Sequence, residues 1–157
     1  MMNKTLKKVL PIILAVVLLF TALPFQFAVS ATTVNVLDGQ VSVTDSANSN
    51  KLSGGTVTIT AKGSLFGSKT NTVTVTNETD NKANLIFDYS ASTYNSFKIN
   101  NANASASGTC SATLDAKGSV TLTLVSNSGF SNTTATLTLS NFSISAVADK
   151  SNVTLPF

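Results

Sequence analysis

The chain offers few groups that could do chemistry. It has no His, no Arg and no Trp; it has ten Lys, one Cys and seven acids. The acids are Asp38, Asp45, Glu78, Asp80, Asp88, Asp115 and Asp149. A Ser-His-Asp triad needs an imidazole as its base, so that class of enzyme is excluded. Cys110 likewise has no His to lower its pKa. It reads as a small buried apolar residue, with an intermolecular bridge or a reactive thiol as the alternative. As the only cysteine it forms no internal disulfide. Cleavage of a glycosidic bond would need two converging carboxylates. Asp88 is the best single candidate, because its apolar neighbours Phe87 and Tyr89 would raise its pKa; a hydrolase would use Asp88 or Asp115. The plainer reading of Asp88 is an outward-facing strand residue. Glu78-Thr79-Asp80-Asn81 is the densest set of oxygen ligands for calcium, but the reading favoured over a calcium site is a solvated turn between two strands. Neither a catalytic residue nor a metal or cofactor site is expected.

Sugar binding uses aromatic platforms with polar neighbours. Tyr94 lies in a polar turn and Phe130 at a Gly-Phe loop tip, so these two are the candidate ligand-binding residues. The alternative for Phe130 is a ring that folds back to plug the end of the domain. Asn-x-Ser/Thr acceptors at Asn77, Asn103, Asn132, Asn141 and Asn152 would matter only in a glycosylating host. A Lys–Asn cross-link would require Lys, Asn and a carboxyl group to be buried together.

These residues must be placed by elements that begin after a leader. Lys4, Lys7 and Lys8 form a positive start, residues 9–23 an apolar core, and Ala28-Val29-Ser30-Ala31 a run of small residues. This is the three-part pattern of a secretory signal peptide over residues 1–31, with cleavage after Ala31 or one residue earlier. The apolar core is shorter than the roughly 20 residues that span a bilayer as a helix; an uncleaved N-terminal anchor is the alternative. Removing 31 of 157 residues leaves 126, enough for one core. It also removes three lysines, so the formal +3 becomes a balance of seven lysines and seven acids. With no basic cluster, nucleic acid is not an expected partner.

From Thr32 onward Ser, Thr and Asn alternate with Val, Leu, Ile and Phe. Residues 33–37 and 40–44 flank Asp38-Gly39, a hairpin signal that would pair Val36 with Val41 and Val34 with Val43; the alternative is a kink in one irregular first strand. Residues 45–55 read as a loop. Residues 56–61 put Val57, Ile59 and Ala61 inward, and 70–77 do the same with Val73 and Val75. Leu65 and Phe66, in the turn between them, would tuck against the core edge or mark a contact. Residues 82–90 carry Ala83, Leu85, Phe87 and Tyr89 on one face and Ile86 on the other, as a central strand would, or one whose outer face a loop covers. Residues 96–100 form a short strand and 101–108 a loop. Cys110, Ala112 and Leu114, then Val120, Leu122 and Leu124, then Ala135, Leu137 and Leu139 alternate, with turns at 115–118 and 127–132. Continuing the last phase would put Asn141 inward. Instead Phe142, Ile144 and Ala146 carry the pattern, which predicts a β-bulge or a change of sheet near Ser140-Asn141. Helical spacing is absent after residue 31. The fold class is all-β, an antiparallel sandwich of about 7–9 strands over residues 32–146. Residues 147–157 form a tail or the start of a further segment.

Over residues 55–145 the order TVTVTNETDNKANLIFDYS, SFKIN, a Cys after a polar loop, LDAKGSVTLTL and SNTTATLTLSN resembles the immunoglobulin-like β-sandwiches repeated in bacterial secreted and surface proteins. The similarity is greatest to the Hydin-related, ASH-like type. The chain departs from that pattern in lacking a Pro-containing turn before the last strand and in having one Cys where some relatives have two. The resemblance implies a spacer, adhesive module or assembly part, and carries over no catalytic residue.

Leader, neutral surface and scarcity of reactive groups point to a secreted or cell-surface, non-enzymatic module for adhesion, display or assembly. Its partner would be a cell-envelope or host surface protein or polysaccharide, with membrane contact only through the signal peptide during export. The alternative is a carbohydrate-binding module, once joined to a larger surface enzyme.

Overall fold

The computed structural model describes residues 31–63, 67–127 and 134–148. Residues 1–30, Leu65, Phe66 and the residues beyond 148 lie outside the described residues. Alternating Val, Leu, Ile and Thr favour a pleated, half-buried backbone, and the described residues form eleven strands. These are β1 (Thr32–Val36), β2 (Val41–Asp45), β3 (Lys51–Ser53), β4 (Thr56–Lys62), β5 (Thr70–Asn77) and β6 (Ala83–Ser92), followed by β7 (Tyr94–Ile99), β8 (Ala102–Asn103), β9 (Ser107–Leu114), β10 (Ser119–Ser126) and β11 (Thr134–Ala146). The count exceeds the expected seven to nine because β3 and β8, of three and two residues, lie in stretches whose composition reads as loop.

The strands make two antiparallel sheets, ordered β1-β2-β5-β10-β7-β8 and β3-β4-β11-β6-β9. One core lies between them. Val41, Val43, Val73, Val75, Val120, Leu122 and Leu124 enter it from the first sheet. Val57, Ile59, Leu85, Phe87, Leu137 and Leu139 enter it from the second. All of these are fully buried, each side chain adding about 1.5–3 kcal/mol relative to exposure. The outer faces carry the intervening polar residues, as in the aligned threonine pairs Thr74–Thr121 and Thr58–Thr138.

Successive strands stay within one sheet only at the short hairpins β1–β2, β3–β4 and β7–β8. Every other step crosses to the opposite sheet, including 115–118, which joins β9 to β10. Strands β4 to β11 therefore pack as β4-β11-β6-β9 against β5-β10-β7-β8, the winding of a jelly roll.

Two local readings are confirmed. Val34 faces Val43 and Val36 faces Val41 across the first hairpin. Asp38 (φ 53°) and Gly39 (φ 85°) take the positive φ values of a type I′ turn, and the Gln40 N–H donates to the Leu37 carbonyl at 3.0 Å. The phase change in β11 is a bulge rather than a change of sheet. Ser140 faces Asp88 and Ser143 faces Ile86, so two residues of β11 oppose one of β6. Asn141 absorbs the extra residue at φ 52°, and Phe142 returns to the core against Phe87, ring centroids 5.6 Å apart. Strand β6 is internal to its sheet, between β11 and β9, yet Ile86 on its outer face is exposed.

Candidate functional site

The structure separates the acids. Asp88 stands on the outer face of β6, opposite Thr109, and Asp115 follows the end of β9. Six strand residues correspond to roughly 20 Å, well beyond the roughly 5–10 Å of a glycosidase pair. The expected upward shift of Asp88 is corrected. Asn141 Nδ2 donates to its Oδ2 at 2.8 Å and Thr109 Oγ1 to its Oδ1 at 2.6 Å. These bonds favour the charged carboxylate and hold its pKa below the ordinary value; burial opposes them weakly. Asp88 is thus a clasp joining β9, β6 and the β11 bulge. Asp115 pairs with Lys82 at 3.2 Å.

The turn at 78–81 already contains a cation. Lys117 Nζ lies 3.3 Å from an Asp80 carboxylate oxygen and 4.0 Å from one of Glu78, and donates to the Glu78 carbonyl. Among the described residues no group of three acids or thiols is placed to hold a metal ion. Beneath this turn, Asn77 is fully buried. Its Nδ2 donates to the carbonyls of Asn81 (2.9 Å) and Asp115 (3.0 Å). Its Oδ1 accepts from the Thr79 N–H (3.0 Å) and hydroxyl (2.7 Å). Asn77 therefore ties two turns together and is no glycan acceptor in the folded chain. Among the other acceptor sites, Asn103 is exposed and Asn132 and Asn152 lie outside the described residues.

Cys110 is free and buried on the inner face of β9, and burial pushes its thiol pKa up. That is the environment of an inert thiol. No described lysine is buried, so a Lys–Asn cross-link has no place among these residues. Tyr94 opens β7 rather than lying in a turn. It is half-buried, with its ring edge-on to Phe97 at 6.3 Å. Phe130 lies outside the described residues.

Two features remain that composition alone did not single out. The first is a cavity of about 640 Å³ beside residues 46–50, lined in part by Asn48, Lys51, Thr60, Lys62, Lys69 and Asn71. None of these lysines forms an ion pair among the described residues. Asn71 is fully buried; its Oδ1 accepts from Ser46 Oγ at 2.9 Å, while its Nδ2 has no partner among the described residues. The adjoining loop is fixed by buried Asp45, which accepts from the N–H groups of Ala47 (3.0 Å) and Ser49 (2.6 Å). An alternating pattern could have pointed to Asn71 and Asn77, since both fall on the inward phase of β5.

The second feature is strand β9. Among the described residues it is paired on one side only, by β6, and stands at the edge of its sheet. It is eight residues long and carries no charge and no proline. The other edges, β1, β3 and β8, are five, three and two residues long. Charges, proline, bulges or shortness usually protect an edge; β9 has none of these. Among the described residues no helix is long and apolar enough to cross a membrane. No family model, curated protein or solved structure matches the chain.

Proposed function

We propose that the chain is a non-catalytic module of the cell surface or the secreted fraction, acting in adhesion, display or assembly, and that β9 is the strand through which it associates. The observation that carries this is the eight-residue uncharged edge, whose outward backbone N–H and C=O groups offer a ladder to an added strand. Its partner would be an envelope or host surface protein, or a second copy of the chain. The kinship with immunoglobulin-like, ASH-like bacterial domains is proposed for the two-layer architecture. The connections differ: constant-type immunoglobulin sheets keep several consecutive strands side by side, whereas here the long strands change sheet at every step. The test places charge on the exposed edge positions Ser111 and Thr113 with Ser111→Lys/Thr113→Lys. Self-association in sedimentation velocity, or retention on envelope material or host surface protein, should be lost in the variant. A parent protein that stays monomeric and binds neither would overturn the reading.

A second reading, binding of an acidic polysaccharide, is favoured by the cavity with three lysines that form no ion pair among the described residues. It replaces the aromatic platform with charge. In affinity electrophoresis an acidic polysaccharide should retard the protein and a neutral one should not. Lys51→Gln/Lys62→Gln/Lys69→Gln should abolish the retardation; equal mobility shifts in parent and variant would refute this reading.

A further inference from the structure

Strand β9 is paired with β6 along its whole length, from Leu114 opposite Ala83 to Ser107 opposite Ser90. Just past that end the Ala91 N–H donates to the Ala106 carbonyl at 2.6 Å. Backbone groups in an antiparallel pair alternate in direction. Gly108, Cys110, Ala112 and Leu114 therefore bond inward to β6, and the N–H and C=O groups of Ser107, Thr109, Ser111 and Thr113 point out from the free edge. Two side-chain bonds on the outer face hold the strand in place. Thr109 Oγ1 donates to Asp88 at 2.6 Å and Thr113 Oγ1 to Asn84 Oδ1 at 2.7 Å. On the inner face Ala112 and Leu114 are only half-buried against the core. The edge is thus preformed, and its apolar side is incompletely covered among the described residues.

We infer that the strand added to β9 is β9 of a second copy, antiparallel, with Cys110 on the twofold axis. The inference rests on the reading of β9 as the strand of association. An antiparallel partner must set outward groups of its own against Ser107, Thr109, Ser111 and Thr113, and a second copy brings the same four. One register uses all of them. Ser107 pairs with Thr113 of the second copy and Thr109 with Ser111, each pair exchanging two hydrogen bonds. Shifting the partner by two residues either way leaves three such pairs within the strand. The full register also suits the side chains. Cys110 faces its own counterpart and Ala112 faces Gly108 of the second copy, so small residues meet on the inner face. Leu114 falls opposite Ala106, which would cover it. On the outer face Ser and Thr hydroxyls lie opposite one another, a favourable cross-strand pairing. The strand carries no charge, so no like charges meet across the axis. The contact is isologous and occupies the long free edge of both copies, so it closes at a dimer.

Sedimentation velocity of the parent protein from about 1 μM to about 1 mM, the range suited to a contact one strand wide, should show monomer giving way to dimer and nothing larger. Amide exchange over the same range should slow by about tenfold or more at Ser107, Thr109, Ser111 and Thr113, and stay constant at Gly108, Cys110 and Ala112, which β6 already holds. Disulfide trapping with diamide in a Cys110→Ala background reads the register. A mixture of Thr109→Cys and Ser111→Cys chains should give mainly the mixed disulfide, because those two positions lie opposite each other within bridging distance. Homodimers of either variant in excess would put a different residue on the axis and overturn the register, leaving β9 as the strand of association. A chain that stays monomeric yet is retained on envelope material or host surface protein would overturn the second copy as occupant and leave the wider reading standing. A dimer without the alternation in exchange, or a monomer that binds neither material, would overturn both.

Discussion

Replacing Asn77 by Asp should convert a neutral clasp into a pH-sensitive defect. The side chain is fully buried and makes four hydrogen bonds, two through Nδ2 to the carbonyls of Asn81 and Asp115. In Asn77→Asp the bonds from Thr79 persist, but a carboxylate oxygen then faces two carbonyl oxygens at about 3 Å, where charge is strongly disfavoured. The folded protein escapes by taking up a proton, and the resulting hydroxyl serves one carbonyl and leaves the other unpaired. That orphan costs about 1–3 kcal/mol at any pH. Holding the proton at about pH 7 against an unfolded pKa of about 3.9 adds up to about 4 kcal/mol. The sign follows from linkage: the folded pKa lies above the unfolded one, so the folded state binds the extra proton. The variant's relative stability is therefore best below about pH 3.9 and falls by about 1.4 kcal/mol per pH unit until the folded pKa is reached. Urea unfolding followed by far-ultraviolet circular dichroism, parent against variant, at about pH 3, 5 and 7, measures this. The expected deficit grows from about 1–3 to about 4–7 kcal/mol, much of the usual 5–15 kcal/mol of a domain. Asn77→Ala should show a deficit without that slope. A deficit in Asn77→Asp that is the same at both ends of the range would refute the argument.

Three further outcomes follow from the described geometry. A Cβ at Gly108 would meet the Tyr89 hydroxyl at 2.8 Å, so Gly108→Ala should destabilise by about 1 kcal/mol in the parent yet stabilise in a Tyr89→Ala background, where alanine suits a strand better than glycine; additive effects in the double-mutant cycle would contradict this. Asn141→Ala removes the stronger of the two bonds that lower the Asp88 pKa, so the Asp88 titration followed by carboxyl NMR should move up towards ordinary values. In the parent, stability due to Asp88 is present above the unfolded pKa and lost as pH falls through the lowered folded one. Cys110, buried with a raised pKa, should react with a thiol reagent only on a scale set by unfolding, and rapid labelling of native protein would show the inner face of β9 to be open.

The residues that alternate strictly were legible in the sequence. Val57, Ile59, Val73, Val75, Leu122, Leu137 and their neighbours are buried where a period of two puts them. The bulge was legible too, because a one-residue slip inverts the faces and Phe142 could not otherwise face Phe87. Sheet membership was not legible. The turn DAKG has the same composition whether it closes a hairpin or carries the chain across the sandwich, and here it crosses. Strands β3 and β8 were hidden because two or three exposed residues paired at the end of a sheet are too short to show an alternating pattern. The Asp88 shift was misjudged because its sequence neighbours Phe87 and Tyr89 point into the core. Its real surroundings come from β9 and β11, 21 and 53 residues away.

The repeated crossing between sheets also bears on when this chain can fold. Strand β4 finds its long partner only in β11, as Val57 does in Leu139, and β5 meets β10 across the pair Val73–Leu122. No long hairpin is available as an early nucleus, because the local hairpins are those of β1–β2, β3–β4 and β7–β8. Loop closure over such separations must precede the contacts that reward it, so the sandwich belongs with slow, non-local folders. During synthesis β4 and β6 stay without their shared neighbour until β11 has emerged. The last described strand is thus a kinetic gate, and a chain stopped before it is expected to remain unfolded, not half-built.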